Sequence, residues 1–161
     1  MNNPISLLAI TSLLGAALMA GTFYAFSTFI MKALRRVPAV AGITAMQSIN
    51  AAVINPWFLS VFIGTAIVST IVAGLAAWNW QSSSLPMLGG GAAYTVGTFL
   101  VTVVGNIPLN NELARISAKD PAAAAVWLRY LVRWTRWNHV RTAFALIATA
   151  SFMISLMATM K

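Results

Sequence analysis

The sequence predicts an all-α integral membrane protein, an antiparallel four-helix bundle with extra helical segments at the cytoplasmic interface. Three observations predict it. Hydrophobic residues fill 60% of the 161 positions and Asp, Glu, Lys and Arg only 7%, against about 25% charged in an ordinary soluble domain. Four stretches, Ile5 to Met31, Trp57 to Trp78, Met87 to Ile107 and Val140 to Met160, come close to or exceed the ~20 apolar residues that a spanning helix needs. The cations gather in alternate connections: Lys32, Arg35 and Arg36 follow the first stretch, and Arg115, Lys119, Arg129, Arg133, Arg136 and Arg141 lie around the connection from the third to the fourth.

The first stretch lacks a basic segment ahead of it and is too long for the apolar core of a secretion signal, so it reads as a retained span. After it, "VPAVAGITAMQSINAAVINPWF" reads as an amphipathic helix from about Ala39 to Ile54 that runs into Asn55-Pro56. The proline removes a backbone donor there and should kink the entry into span two. The uncharged connection "NWQSSSLPMLGGG" is short, which makes spans two and three an antiparallel hairpin. Asp120 followed by Pro121 suits the cap and first position of a last helix that meets no breaker before Met160. At ~1.5 Å per residue that helix is about 60 Å long, roughly twice the hydrocarbon core. Its first half therefore lies in or beyond the cytoplasmic interface. No long linker or fixed repeat interrupts the chain, so residues 1–161 form one domain.

The net charge of +8 resembles that of nucleic-acid binders until its distribution is followed. Nine of the ten cations fall on one side of the predicted bundle and only Lys161 on the other, the asymmetry of the positive-inside rule. Membrane lipid headgroups account for the surplus charge, and no nucleic acid is expected. The expected location is a bacterial inner (cytoplasmic) membrane, with N and C termini both outside. The pairs Ala17/Gly21 and Ala93/Gly97, each four residues apart, suit either the bundle interior or a contact between two copies of the chain in a homo-oligomer.

Chemistry-bearing residues are few: two carboxylates, one histidine and no cysteine. That inventory excludes a thiolate site and argues against a multi-ligand metal site from one chain, since a catalytic metal usually takes three convergent protein ligands. A proton-coupled exporter would want a carboxylate within a span, and both Glu112 and Asp120 fall in a connection. On the last helix Trp127, Leu131, Trp134, Asn138 and Arg141 recur at three- or four-residue steps and share one stripe, while Arg129, Arg133 and Arg136 fall on another. Asn138, His139 and Arg141 stand at the boundary of a span, where polar groups usually turn inward. Asn50 and Asn55 enter span two at the same level, and Asn110 and Asn111 leave span three there. Aromatic residues Phe23, Tyr24, Trp57, Phe58, Trp134 and Trp137 can wall a pocket whose cytoplasmic mouth carries these amides, the imidazole and the guanidinium.

The stretches "GTFYAFSTFIMKALRRVP", "MQSINAAVINPWF", "NIPLNNELA" and "WTRWNHVRTAFALIA" resemble, in order and placement, the anthrone oxygenase-like family of small bacterial and fungal membrane proteins, catalogued as a domain of unknown function. The resemblance spans essentially the whole chain and carries over at Asn50, Asn55, Asn110, Asn111, Asn138, His139 and Arg141. It implies oxidation of a hydrophobic phenolic or polycyclic substrate without a cofactor. His139 would be the base near neutral pH, Arg141 and Asn138 catalytic donors to the resulting anion, and Tyr24, Asn50, Asn55, Trp57, Asn110, Asn111, Trp134 and Trp137 the substrate contacts. A non-enzymatic module that binds a lipid, a quinone or a partner subunit stands beside this reading, with the polar cluster tying four helix ends together.

The topology is open to a direct measurement because the chain has no cysteine of its own. Asn2→Cys and Lys161→Cys, made singly, should react with a membrane-impermeant maleimide from outside intact cells. Labelling only after the inner face is opened would invert the orientation.

Overall fold

The structure, a computed structural model, describes residues 4–158. Five helices organise them: α1 (Pro4–Arg36), α2 (Ala39–Ala52), α3 (Pro56–Trp78), α4 (Ser84–Ala114) and α5 (Ala123–Ala158). All but α2 are long and apolar enough to cross a membrane, so the chain has the makings of a multi-pass membrane protein. In the bundle α1 packs against α3 and α5, and α4 against α3 and α5, which closes the four spans into an antiparallel ring. The expected end of the last span, Met160, lies outside the described residues.

Local chemistry sets the helix ends. Asn55 caps α3, its Oδ1 accepting from the Phe58 N–H at 3.0 Å with Pro56 in the first position. The start of α5 is later than the sequence suggests. Asp120 Oδ1 accepts from the Ala122 N–H at 2.7 Å and its carbonyl from the Ala123 N–H at 2.9 Å, so Asp120-Pro121 forms a turn and the regular helix begins at Ala123. The chain adopts π-helical turns at Phe26–Ile30 in α1 and at Ala93–Leu100 and Thr102–Asn106 in α4. An extra residue in a turn rotates the remainder of the helix by about 100°, and such turns frequently accompany functional sites.

Two apolar cores result from this arrangement. One lies among the spans and holds Met19, Phe23, Phe62, Val72, Tyr94 and Phe152. The other lies at the basic end, where α2 covers the ends of α1 and α4 and the first half of α5, and holds Ile43, Met46, Leu113, Trp127, Tyr130 and Trp134. The outer surface is apolar as well: Leu7, Leu14 and Leu18 of α1 and Ile154 of α5 are exposed, a pattern that lipid tails solvate and water does not. Trp57 at the basic end and Trp78 and Trp80 at the other stand exposed, where interfacial aromatic belts belong.

Small residues let the spans approach. Ala93 and Gly97 are buried, with Gly97 against Phe144, whereas Ala17 and Gly21 face outward. At Gly91 a methyl group would lie 2.6 Å from Ala73 Cβ and 2.7 Å from the backbone oxygen of Ser69, and a backbone cannot step aside. Gly91→Ala should therefore destabilise the bundle by about 1–3 kcal/mol, the usual cost of overpacking, seen as a lower melting temperature in detergent. Gly64→Ala, which meets nothing within 4 Å, is the control. It should leave the melting temperature unchanged or raise it, since alanine is worth up to about 1 kcal/mol over glycine inside a helix.

Candidate functional site

The stripe expected along α5 is present: Trp127, Leu131, Trp134, Asn138 and Arg141 are all buried, while Arg129, Arg133 and Arg136 are exposed. Its last member is exceptional, because Arg141 is only 6% exposed and is the one charged side chain buried among the described residues. The guanidinium sits where the two cores meet. Its Cζ lies 3.9 Å from the centroid of the Phe23 ring, from the core among the spans, and 5.0 Å from that of Trp134, from the core at the basic end. Nε and Nη2 donate to Asn138 Oδ1 at 3.0 and 2.8 Å, and Nη1 donates to Thr102 Oγ1 at 3.3 Å.

Asn138 is held so that its oxygen must face the cation. Its Nδ2 donates to the Phe23 carbonyl at 2.8 Å and to Ser27 Oγ at 2.7 Å. Ser27 then has its proton for Thr142 Oγ1, 3.0 Å away, and Thr142 donates back to the Asn138 carbonyl at 2.6 Å. Ser27 belongs to the π turn of α1 and Thr102 to one of those in α4, so the irregular turns stand on both sides of the cation. Every partner of Arg141 is neutral. Of the two carboxylates, Glu112 pairs with Arg129 at 3.1 Å on the surface and Asp120 caps its own turn.

Arg141 lines a cavity of about 380 Å³, within the usual range for a small-molecule site. Phe23, Phe26, Phe58, Phe62 and Trp134 provide aromatic walls, and Thr22, Gln47, Asn50, Thr102, Asn110 and Asn111 provide the other polar residues. Trp134 and Phe26 of the wall continue into an aromatic ladder behind it, in which Trp127, Tyr130 and Trp134 stack at 5.6 and 6.1 Å and Phe26 tilts against Trp134 at 5.5 Å. Trp134 Nε1 and Tyr130 OH both donate to Asn110 Oδ1, at 2.8 and 2.9 Å, and Asn50 Nδ2 donates to Tyr130 OH at 3.4 Å. The amide nitrogen of Gln47 joins α2 to α4 through the carbonyl of Leu113 at 2.8 Å, and to the turn beyond through that of Ile116 at 2.9 Å.

The cavity thus brings together eight of the residues singled out in the sequence: Phe23, Asn50, Phe58, Asn110, Asn111, Trp134 and Arg141 line it, and Asn138 fixes Arg141 from behind. It does not bring the others. His139 is exposed, lines no part of the cavity, and its imidazole makes no hydrogen bond to another described residue. The reason is rotation, since one residue step turns by about 100° and carries His139 away from the inward direction of Asn138 and Arg141. Asn55 is occupied as the α3 cap, and Tyr24, Trp57 and Trp137 are exposed; Trp137 lies instead against Gly105. Gln47, Phe26, Phe62 and Thr102 join the site without having been marked by the sequence. Thr102 alone had a readable sign, a hydroxyl four residues after Thr98 in an apolar span, and Thr98 reaches the Arg141 carbonyl at 3.4 Å.

Comparison with curated proteins and with solved structures finds no match for the chain. A family model described as anthrone oxygenase matches residues 57–151, a stretch that carries Asn110, Trp134, Asn138 and Arg141 and amounts to more than half of the chain. The chain belongs to the anthrone oxygenase family.

Proposed function

We propose that the chain is a membrane oxygenase that takes a hydrophobic phenol or polycyclic ketone from the bilayer and oxidises it through its anion, which Arg141 holds. One observation carries the reading: a buried guanidinium lines an apolar, aromatic cavity and has no acid partner. A charged side chain turned inward in a spanning helix is costly, and such residues usually serve function. Asn138, Thr102 and the Phe23 ring offset part of that cost without neutralising the cation. The missing charge is then that of the ligand.

The chemistry combines the family with the character of the wall. An anthrone has a methylene between two aryl rings whose proton is acidic because the anion spreads onto the ring ketone oxygen. A preorganised cation at that oxygen favours the anion over the ketone. No carboxylate or imidazole lines the cavity, so the proton passes to solvent at the basic end. The electron pair of the anion adds to dioxygen, forming a C–O bond at the former methylene. Loss of the second C–H proton with cleavage of the O–O bond leaves a new carbonyl. The two hydrogens and the other oxygen atom depart as water. Asn110 adds a second donor to the anion, and the aromatic walls keep water from the reacting carbon.

Arg141→Met should lower the rate of anthraquinone formation from anthrone by about 10²–10³-fold, the loss typical of removing one oxyanion donor, measured against spontaneous oxidation without protein. Arg141→Lys should recover only part of it, because the ammonium keeps the charge and lacks the planar fork that Asn138 and Thr102 grip. Undiminished turnover in Arg141→Met would remove the reading, and a wild-type protein that binds anthrone without oxidising it would make the chain a binding module. In the same assay His139→Gln should oxidise within about twofold of wild type, since an exposed side chain leaves general-base catalysis, worth about 10²-fold or more, out of its reach. A loss on that scale would return the base to His139.

A further inference from the structure

A group that can only donate sets the direction of hydrogen bonding along one wall of the cavity. The indole N–H of Trp134 has no acceptor capacity, so the Asn110 amide 2.8 Å from it must present its oxygen. Tyr130 OH reaches the same oxygen at 2.9 Å and gives its one proton to it. The phenol oxygen can then only accept, and Asn50, 3.4 Å away, must turn its NH2 group toward it. Neither amide is free to flip while Trp134 and Tyr130 stand.

What the two amides have left is therefore fixed. Asn110 retains an NH2 group and Asn50 a carbonyl oxygen, neither bonded to another described residue. Gln47 gives its NH2 group to Leu113 and Ile116 and likewise retains an oxygen. Arg141 has five N–H donors, of which Asn138 and Thr102 take three, leaving two. All four residues line the cavity. Donors stand on α4 and α5, acceptors on α2.

We infer that Tyr130 and Trp134 are positioning residues that polarise the cavity, so that it selects a polycyclic ligand with a carbonyl or anionic oxygen on one edge and a hydroxyl group on another, the hydroxyl donating to Asn50. The inference rests on the cavity being the substrate site. It assigns to Tyr130 a role without contact with the reacting atoms: the phenol keeps an acceptor on the α2 wall where a mobile amide would offer donor and acceptor alike.

Two probes of equal shape test it, 2-(hydroxymethyl)anthraquinone and 2-ethylanthraquinone, titrated into the full-length protein in detergent with tryptophan quenching as the readout. The wild type should prefer the hydroxylated probe by about tenfold in Kd, the worth of one good hydrogen bond. Tyr130→Phe, which keeps the ring in its stack, should reduce the preference to about twofold or less. Adding Asn50→Asp to that variant should restore it, because a carboxylate offers an oxygen in either orientation. A purely structural role for Tyr130 would weaken both probes alike and would not be rescued. Should Tyr130→Phe fail to fold, Asn50→Leu must erase the preference by itself. Equal affinities in the wild type, or an unchanged preference in Tyr130→Phe or in Asn50→Leu, would overturn the inference. Arg141→Met should weaken both probes equally and leave their ratio intact. If it binds both as tightly as wild type, or if the wild type binds neither, the substrate-site reading falls and this inference with it.

Discussion

A guanidinium buried in an apolar bundle that offers it no acid is the constraint on which the rest of the structure turns. In a hydrocarbon environment an unsolvated cation must be met by dipoles and ring faces, and three of the spans supply them. α5 supplies Asn138, one turn before Arg141 and hence directly beside it. α1 supplies the Phe23 face and, through its π turn, the hydroxyl that locks the Asn138 amide. α4 supplies Thr102 from a π turn of its own. Because these contacts join three spans at one level, the ring of helices cannot slide or rotate there without exposing the charge to lipid.

The second consequence is the division of the molecule into two cores. A helix as long as α5 would present an aromatic face to water once past the interface, and α2 covers it. Gly42 shows how closely: a methyl group there would stand 2.8 Å from the Trp127 ring. The cavity is the seam between the two cores, roofed by α2 and floored by Phe23 and Phe62. The exposed pair Arg129–Glu112 joins α5 to the end of α4 at this level, and as a solvated ion pair it adds little to stability.

How much of this the sequence carried differs with the kind of signal. The four spans were legible because length and composition suffice for them, and the sharing of one stripe of α5 by Trp127, Leu131, Trp134, Asn138 and Arg141 because they recur at helical spacing, although an aromatic residue such as Trp127 suits the interface as well as the interior. The hairpin was legible from the uncharged turn, and the break before α3 from Asn55-Pro56, although not the capping role of Asn55. The site was legible only in part. His139 was grouped with Asn138 and Arg141 because they are neighbours in the chain, yet neighbours on a helix look in different directions, and position near a membrane boundary does not say which. Trp57 and Tyr24 illustrate the same ambiguity, since an aromatic ring suits both a pocket wall and an interfacial belt. Gly21 and Gly97 could not be told apart because spans that are apolar all round carry no amphipathic mark of their inner face. Gln47 and Met46 became cavity residues only through the docking of α2, a long-range event that no local pattern encodes.

A cation without a counter-ion also changes what occupancy means for this protein. In most sites a ligand is added to a structure already complete in itself. Here the described residues meet the charge with neutral dipoles alone, and under the proposed function an anion seated against Arg141 would complete the electrostatics of the folded state. Since the unfolded chain has no such seat, bound anion adds RT ln(1 + [L]/Kd) to the free energy of unfolding, about 2.7 kcal/mol at a hundredfold excess over Kd. Under the proposed function the ligand would thereby be a structural component, and the heat resistance of the protein would rise with its occupancy.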